Sequence, residues 1–224
     1  MLICESYLLI YLEKWKDRKS VAIGRDAIVC LAGAGIMDLI LRGKLMLDGK
    51  RIKLIDINPT GNEFLDEILT MVKESKKVRK LYSWITRISG KNSMDRINIV
   101  FKSLENQGIL QFEKRVAAKI FYKWGYNFIK PELIQSLLQQ VQDAFIDSSI
   151  EPEIELLCLL NLLQQSRLFN ACISKEYRNI VKHRMEQLLL FGNYDPSHLE
   201  MIKLLKKAIK SALSSELGLE AIPF

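Results

Sequence analysis

Between Ala27 and Met37 the chain sets eleven apolar residues in a row, and after the single interruption of Asp38 the run continues to Leu41. A helix that is apolar on every side has no face to offer water. This segment therefore predicts a central helix that the rest of the chain must cover. It is not a membrane span, which needs ~20 consecutive apolar residues. Asp26 is expected to cap the helix. Gly43 is expected to end it, because glycine takes the left-handed conformation of a helix C-terminus without steric cost.

The covering elements follow from periodicity. Leu8, Leu9, Tyr11, Leu12 and Trp15 recur at helical intervals within Leu2 to Trp15, ahead of a polar stretch from Asp17 to Ser20. Further helical patterns run from Asn62 or Glu63 to Glu74, from Val78 to Ile88 and from Ser93 to Gln107. Beyond Pro131 they continue over Leu133 to Ile146, Pro152 to Gln165, Glu176 to Leu190 and His198 to Leu213. Asp48-Gly49 between Leu45-Met46-Leu47 and Arg51 to Ile55 predicts a tight β-hairpin. Gly108 to Phe112 reads as a strand, and Ile120 to Ile129 as a second hairpin turning at Gly125. Leu41 to Leu45 and Asn106 to Leu110 echo one another, each a helix ending in glycine and feeding a strand. The expected fold is mainly α, a single domain over 1–224: a helical bundle with two short β-hairpins, one protruding and rich in aromatic residues.

With 224 residues, of which 49% are apolar, about 70% of the unfolded surface can be buried on folding. Neither disulfide nor metal is needed for stability. Cys4, Cys30, Cys158 and Cys172 lie far apart with no secretory leader ahead of them, which fits reduced thiols in a cytosolic compartment. The formal charge of +7 biases the chain toward anionic partners.

Catalytic chemistry is sparse. Gly33-Ala34-Gly35 with Asp56 imitates a dinucleotide fingerprint, but the third glycine position is Asp38, whose carboxylate would repel pyrophosphate. Small residues for close helix packing explain the glycines better. His183 and His198 have no cysteine or carboxylate at metal-site spacing, and the adjacent pair Asp66-Glu67 points about 100° apart on a helix. The sequence predicts no enzyme, no cofactor and no metal.

Phe121, Tyr122, Trp124, Tyr126 and Phe128 crowd into one short stretch with Lys119, Lys123 and Lys130. Rings interleaved with lysines suit a bilayer interface with acidic lipid. The competing reading is that one face of this hairpin packs on the protein's own core or on a second copy. Two basic runs, one of Lys73, Lys76, Lys77, Arg79 and Lys80 and one of Lys203, Lys206, Lys207 and Lys210, read as solvated faces. Ser93 to Gln107 followed by a strand and hairpin also resembles a DNA-binding winged helix. Asp95 and Glu105 beside Arg96 and Lys102 place that reading second, because carboxylates oppose a phosphate groove.

Leu41-Arg42-Gly43-Lys44-Leu45, Pro59-Thr60-Gly61 with Leu65-Asp66-Glu67, Val72-Lys73-Glu74, Trp84-Ile85 and Gly108-Ile109-Leu110 together resemble the signature of the Golgi phosphoprotein 3 family across roughly residues 2 to 213. The resemblance implies a helical bundle with a protruding hydrophobic hairpin, to which Phe121, Tyr122, Trp124, Tyr126 and Phe128 correspond by position. It further implies a non-catalytic, cytoplasmic adaptor, peripheral on membranes and on the cytosolic face of the Golgi in a eukaryotic cell. Its ligand would be phosphatidylinositol 4-phosphate or another anionic membrane lipid, and its clients the cytosolic tails of membrane proteins. A homo-oligomer through the aromatic hairpin is a further expectation. Lipid-binding members carry a tryptophan and three basic residues where this chain has Ile23, Ala32, Met94 and Ile97. Arg25, Lys91, Arg96 and Lys102 lie close by in sequence and are the candidate headgroup contacts in their place. The absence of a long polar N-terminal extension is similar to a minimal, prokaryote-like member.

Overall fold

The computed structural model describes residues 1–15, 21–118, 121–147, 151–166 and 168–214, the side chains of 113–118 and 121–124 excepted. The polar stretch Asp17 to Ser20 lies outside the described residues, as do Lys119 and Ile120. The elements run α1 (Ile3–Glu13), α2 (Arg25–Leu41), β1 (Leu45–Asp48), β2 (Arg51–Leu54), α3 (Glu63–Lys73), α4 (Leu81–Ile88), α5 (Ser93–Asn106), β3 (Leu110–Ala118) and β4 (Phe121–Phe128). Then follow α6 (Pro131–Ile146), α7 (Ile154–Gln165), α8 (Phe169–Cys172), α9 (Arg178–Phe191) and α10 (Pro196–Ser214). The fold is mainly α, with two separate two-stranded antiparallel sheets.

The apolar run forms α2, buried continuously from Ala27 to Leu39. It packs against α1, α3, α4, α7 and α10. Its two glycines make this close approach possible. A Cβ at Gly33 would lie 2.7 Å from Ile209 Cδ1 of α10, and one at Gly35 would lie 2.7 Å from both Phe64 Cε1 and Ile68 Cδ1 of α3. Packing, not phosphate binding, fixes these positions. Gly24 rather than Asp26 is the N-cap, and Asp26 sits within the first turn, where its charge opposes the helix dipole.

Asp38, the one acid inside the run, is 4% exposed. Its carboxylate accepts the backbone N–H groups of Ile3 at 2.9 Å and Cys4 at 3.0 Å, so α2 caps α1 from the side and satisfies donors a helix start leaves open. Burial pushes the Asp38 carboxyl up to about 6, against the lowering effect of those two hydrogen bonds and of Arg42. Glu5, also buried, accepts from Leu2 N–H, from the Ser103 hydroxyl and from the Gln107 amide. These bonds place the N-terminal end of α1 beside the C-terminal end of α5.

The echo between Leu41 to Leu45 and Asn106 to Leu110 is a repeated helix ending. Gly43 (φ 67°) donates to Ile40 O while Lys44 donates to Leu39 O. Gly108 (φ 64°) donates to Glu105 O while Ile109 donates to Leu104 O. Each ending closes the last helical turn and launches a hairpin. In the first, Leu45 pairs with Leu54 and Asp48 with Arg51. The segment expected to open the fourth helix at Val78 is instead extended: Arg79 O accepts from Ile52 N–H, and Lys80 bridges to Arg51. That covers part of the β2 edge, and α4 begins only at Leu81.

The second hairpin is longer than expected. Leu110 pairs with Phe128 and Ala118 with Phe121, and Gly125 faces Glu113 in mid-strand. Gly125 is therefore not the turn. The C-terminal helices fall within a few residues of expectation, Pro131 opening α6 at the position where a missing N–H costs nothing, while the short α8 had no periodic signal.

Candidate membrane-docking end of the bundle

Four helix ends meet on one side of the molecule. Tyr11, near the end of α1, uses its hydroxyl to accept from Gly24 N–H at 3.1 Å and to donate to Ala22 O, beside the start of α2. Arg25 opens α2 and donates through Nη1 to Ser89 O at 3.1 Å, at the C-cap of α4. Arg96 in the first turns of α5 donates to Ile88 O at 3.0 Å and Lys91 O at 2.8 Å. The ends of α1 and α4 and the starts of α2 and α5 thus form one face, with Lys91 exposed in the α4–α5 link.

The four candidate headgroup residues divide here. Arg25 and Lys91 stand together at this end. Arg96 is buried and also holds Glu67 Oε1 at 2.9 Å through Nε. Its donors serve the α4 C-terminus and α3. Lys102 is exposed on α5, six residues and roughly 240° around from Arg96, and does not share the face. Ile23, Ala32 and Ile97 are buried and Met94 packs on the core, so these positions supply no charge. Asp66, in the first turn of α3, accepts from both N–H and hydroxyl of Thr60 at 2.7 Å and fixes the loop before α3.

The β3–β4 hairpin runs toward the same face. Its base lies beside Leu104, where Ile109 bonds back to the α5 carbonyl. One turn nearer the α5 start, Phe112 stacks on Phe101 with ring centroids 5.2 Å apart. Opposite Phe112, Tyr126 is buried and donates its hydroxyl to Leu12 O at 2.8 Å, near the end of α1. Phe128 packs half-buried on the core, edge-on to Tyr126 at 5.4 Å. These two rings pack on the protein's own body. From Tyr126 to Phe121 the strand continues for about 17 Å at ~3.3 Å per residue. The side chains of Phe121, Tyr122 and Trp124 lie outside the described residues.

Among the described residues no grouping of His, Cys, Asp and Glu could hold a metal. Burial pushes the Cys30 and Cys172 thiols up to about 12 and the Cys4 and Cys158 thiols upward as well, which removes the thiolate a nucleophile needs. The helix proposed as a DNA reader, α5, packs on α1, α3 and β3, and its exposed residues include the acid Asp95 as well as Lys102. No described helix is long and apolar enough to cross a membrane. Residues 3–212 match the sequence profile of the family described as Golgi phosphoprotein 3 (GPP34).

Proposed function

Because the chain belongs to the Golgi phosphoprotein 3 family, we propose that it is a non-catalytic adaptor that docks peripherally on membranes through the end of the bundle bearing Arg25, Lys91 and the outer length of β3–β4. The ligand is an anionic lipid, with phosphatidylinositol 4-phosphate the family's candidate. Clients would be cytosolic tails of membrane proteins, met on the cytosolic face of the Golgi in a eukaryotic cell. The observation that supports this reading is directional: the hairpin, tied by Tyr126 to Leu12 near the end of α1, runs from its base at Ile109 past Phe101 in the direction of the α5 start. Rings at headgroup depth and ammonium or guanidinium groups facing acidic lipid are the two attractions a surface-bound protein combines.

Co-sedimentation with vesicles of graded acidity tests it. Binding should rise with anionic lipid, fall about tenfold in Arg25→Glu/Lys91→Glu at low salt, and fall similarly in Phe121→Ser/Trp124→Ser, as expected for ~1 kcal/mol per basic residue near a charged surface. A protein that ignores vesicles of every composition would overturn the reading.

A further inference from the structure

A cavity of about 510 Å³ opens at the N-terminal end of α1, the end away from Tyr11. Its origin is a gap in the bundle. α1 packs against both α6 and α7, but those two helices do not pack along one another. A groove is left between them, with Ile3 and Ser6 of α1 buried in its floor. The α6 wall is made by Leu133, Ser136, Leu137 and Gln140, whose i, i+3, i+4, i+7 spacing forms one continuous helix face. Leu156 and Leu159 make the α7 wall. Ser136 and Gln140 are exposed, and Leu133 and Leu156 only half-buried, so the groove lies open along about 10 Å of α6.

The Ser6 hydroxyl, on a residue only 6% exposed, has no hydrogen-bond partner among the described residues. Glu132 and Glu155, in the first turns of α6 and α7, stand exposed at the rim. Neither carboxylate has a cationic partner among the described residues. Lys130, which lines the same groove, donates to Gln107 O at 3.3 Å. An acidic rim thus borders a leucine-rich interior, on a chain whose formal charge is +7. A small cation would satisfy the carboxylates and leave the leucines wet. A helix with lysine or arginine beside an apolar stripe answers both parts, burying the stripe as helix-binding grooves do. We propose that the α1–α6–α7 groove docks a basic amphipathic helix of a partner protein. Its apolar side chains lie on Leu133, Leu137, Leu156 and Leu159, its cations meet Glu132 and Glu155, and one polar group reaches the Ser6 hydroxyl. Ile3 is about 12 Å along α1 from Tyr11, so the partner can sit there whether or not the docking end holds a membrane.

Fluorescence anisotropy of the full chain with labelled peptides, in buffer without lipid, tests this independently of vesicle binding. The probe is the peptide LKKLLKLLKKLLKL, which gathers its leucines on one face over ~21 Å of helix. One control replaces its lysines with glutamate, and a second scrambles the order so that the leucines disperse. Because the chain carries net positive charge, general attraction favours the acidic control, and a preference for the basic helix reports the groove. The basic helix should bind about tenfold tighter than either control and lose about tenfold in Glu132→Lys/Glu155→Lys, where two exposed ion pairs become repulsions. Ser136→Arg/Gln140→Arg changes only exposed positions and should block the groove to a similar degree. Equal or tighter binding of the acidic control overturns the proposal. So does equal binding of the scrambled peptide, which would reduce the contact to charge attraction, or binding that survives either double substitution at full strength, which would place the helix elsewhere.

Discussion

The Tyr126 hydroxyl donates to the carbonyl oxygen of Leu12 at 2.8 Å across a separation of 114 residues, so β4 is tied to the end of α1. Tyr126→Phe keeps the ring and loses the bond. It should cost about 1 kcal/mol in denaturant unfolding, the net worth of one such hydrogen bond. Vesicle binding at saturating lipid should change little, whereas Trp124→Ser should show the reverse pattern, weak binding at unchanged stability.

Arg96 makes a matching separation of roles. Arg96→Met strands Ile88 O and Lys91 O and leaves Glu67 without its partner. Glu67 is a third exposed and can rehydrate, so about 2 to 3 kcal/mol of stability should be lost rather than the upper range for a broken buried pair. Chemical denaturation measures it. Arg25→Met, which loses the bond to Ser89 O, should cost less stability and more vesicle affinity.

Asp38 gives a pH signature. Its folded-state carboxyl is raised to about 6 from an ordinary 3.8, so the folded state holds the proton more tightly than the unfolded state. Its contribution is then complete below about pH 4 and is lost as pH rises through about 6. Asp38→Asn removes this dependence. The difference in unfolding free energy between wild type and Asp38→Asn should shift by roughly 2 to 3 kcal/mol between pH 4 and pH 7, wild type losing ground as pH rises. Comparing the two proteins cancels Asp48, Asp56 and Asp195, whose carboxyls are lowered by their own hydrogen bonds and act in the opposite sense.

The two packing glycines should differ in tolerance. At Gly35 a new methyl meets the Phe64 ring and Ile68 at 2.7 Å, and Gly35→Ala should cost about 1 to 3 kcal/mol as overpacking does. At Gly33 the close atom is the terminal methyl of Ile209, which can rotate away, so thermal unfolding should find Gly33→Ala the milder change. Gly43→Ala meets nothing but sits at φ 67°, and the left-handed strain alone should cost about 1 to 2 kcal/mol.

What could be read from the residues was whatever one segment decides alone. The apolar run dictated α2, Asn62 announced α3 through its cap on Leu65 N–H, and Gly43 and Gly108 marked helix ends that hydrogen bonds then confirmed. Gly125 misled because glycine usually signals a turn, whereas here it occupies a strand position opposite Glu113. Arg96 looked available because its partner Glu67 lies 29 residues away and charge counts carry no pairing. Val78 to Lys80 continued a helical pattern, but β2 offered backbone bonds to that stretch first.

The seal of Ile209 on Gly33 sets an order on biosynthesis. At ~5 to 20 residues per second, the interval between completion of α2 and arrival of α10 is about 10 to 35 seconds. For that time the most apolar helix of the nascent chain has one flank uncovered. Chaperone occupancy during translation should therefore concentrate on α2 and end once α10 has left the ribosome, and variants that weaken α10 should be lost to aggregation during synthesis more readily than their equilibrium stability implies.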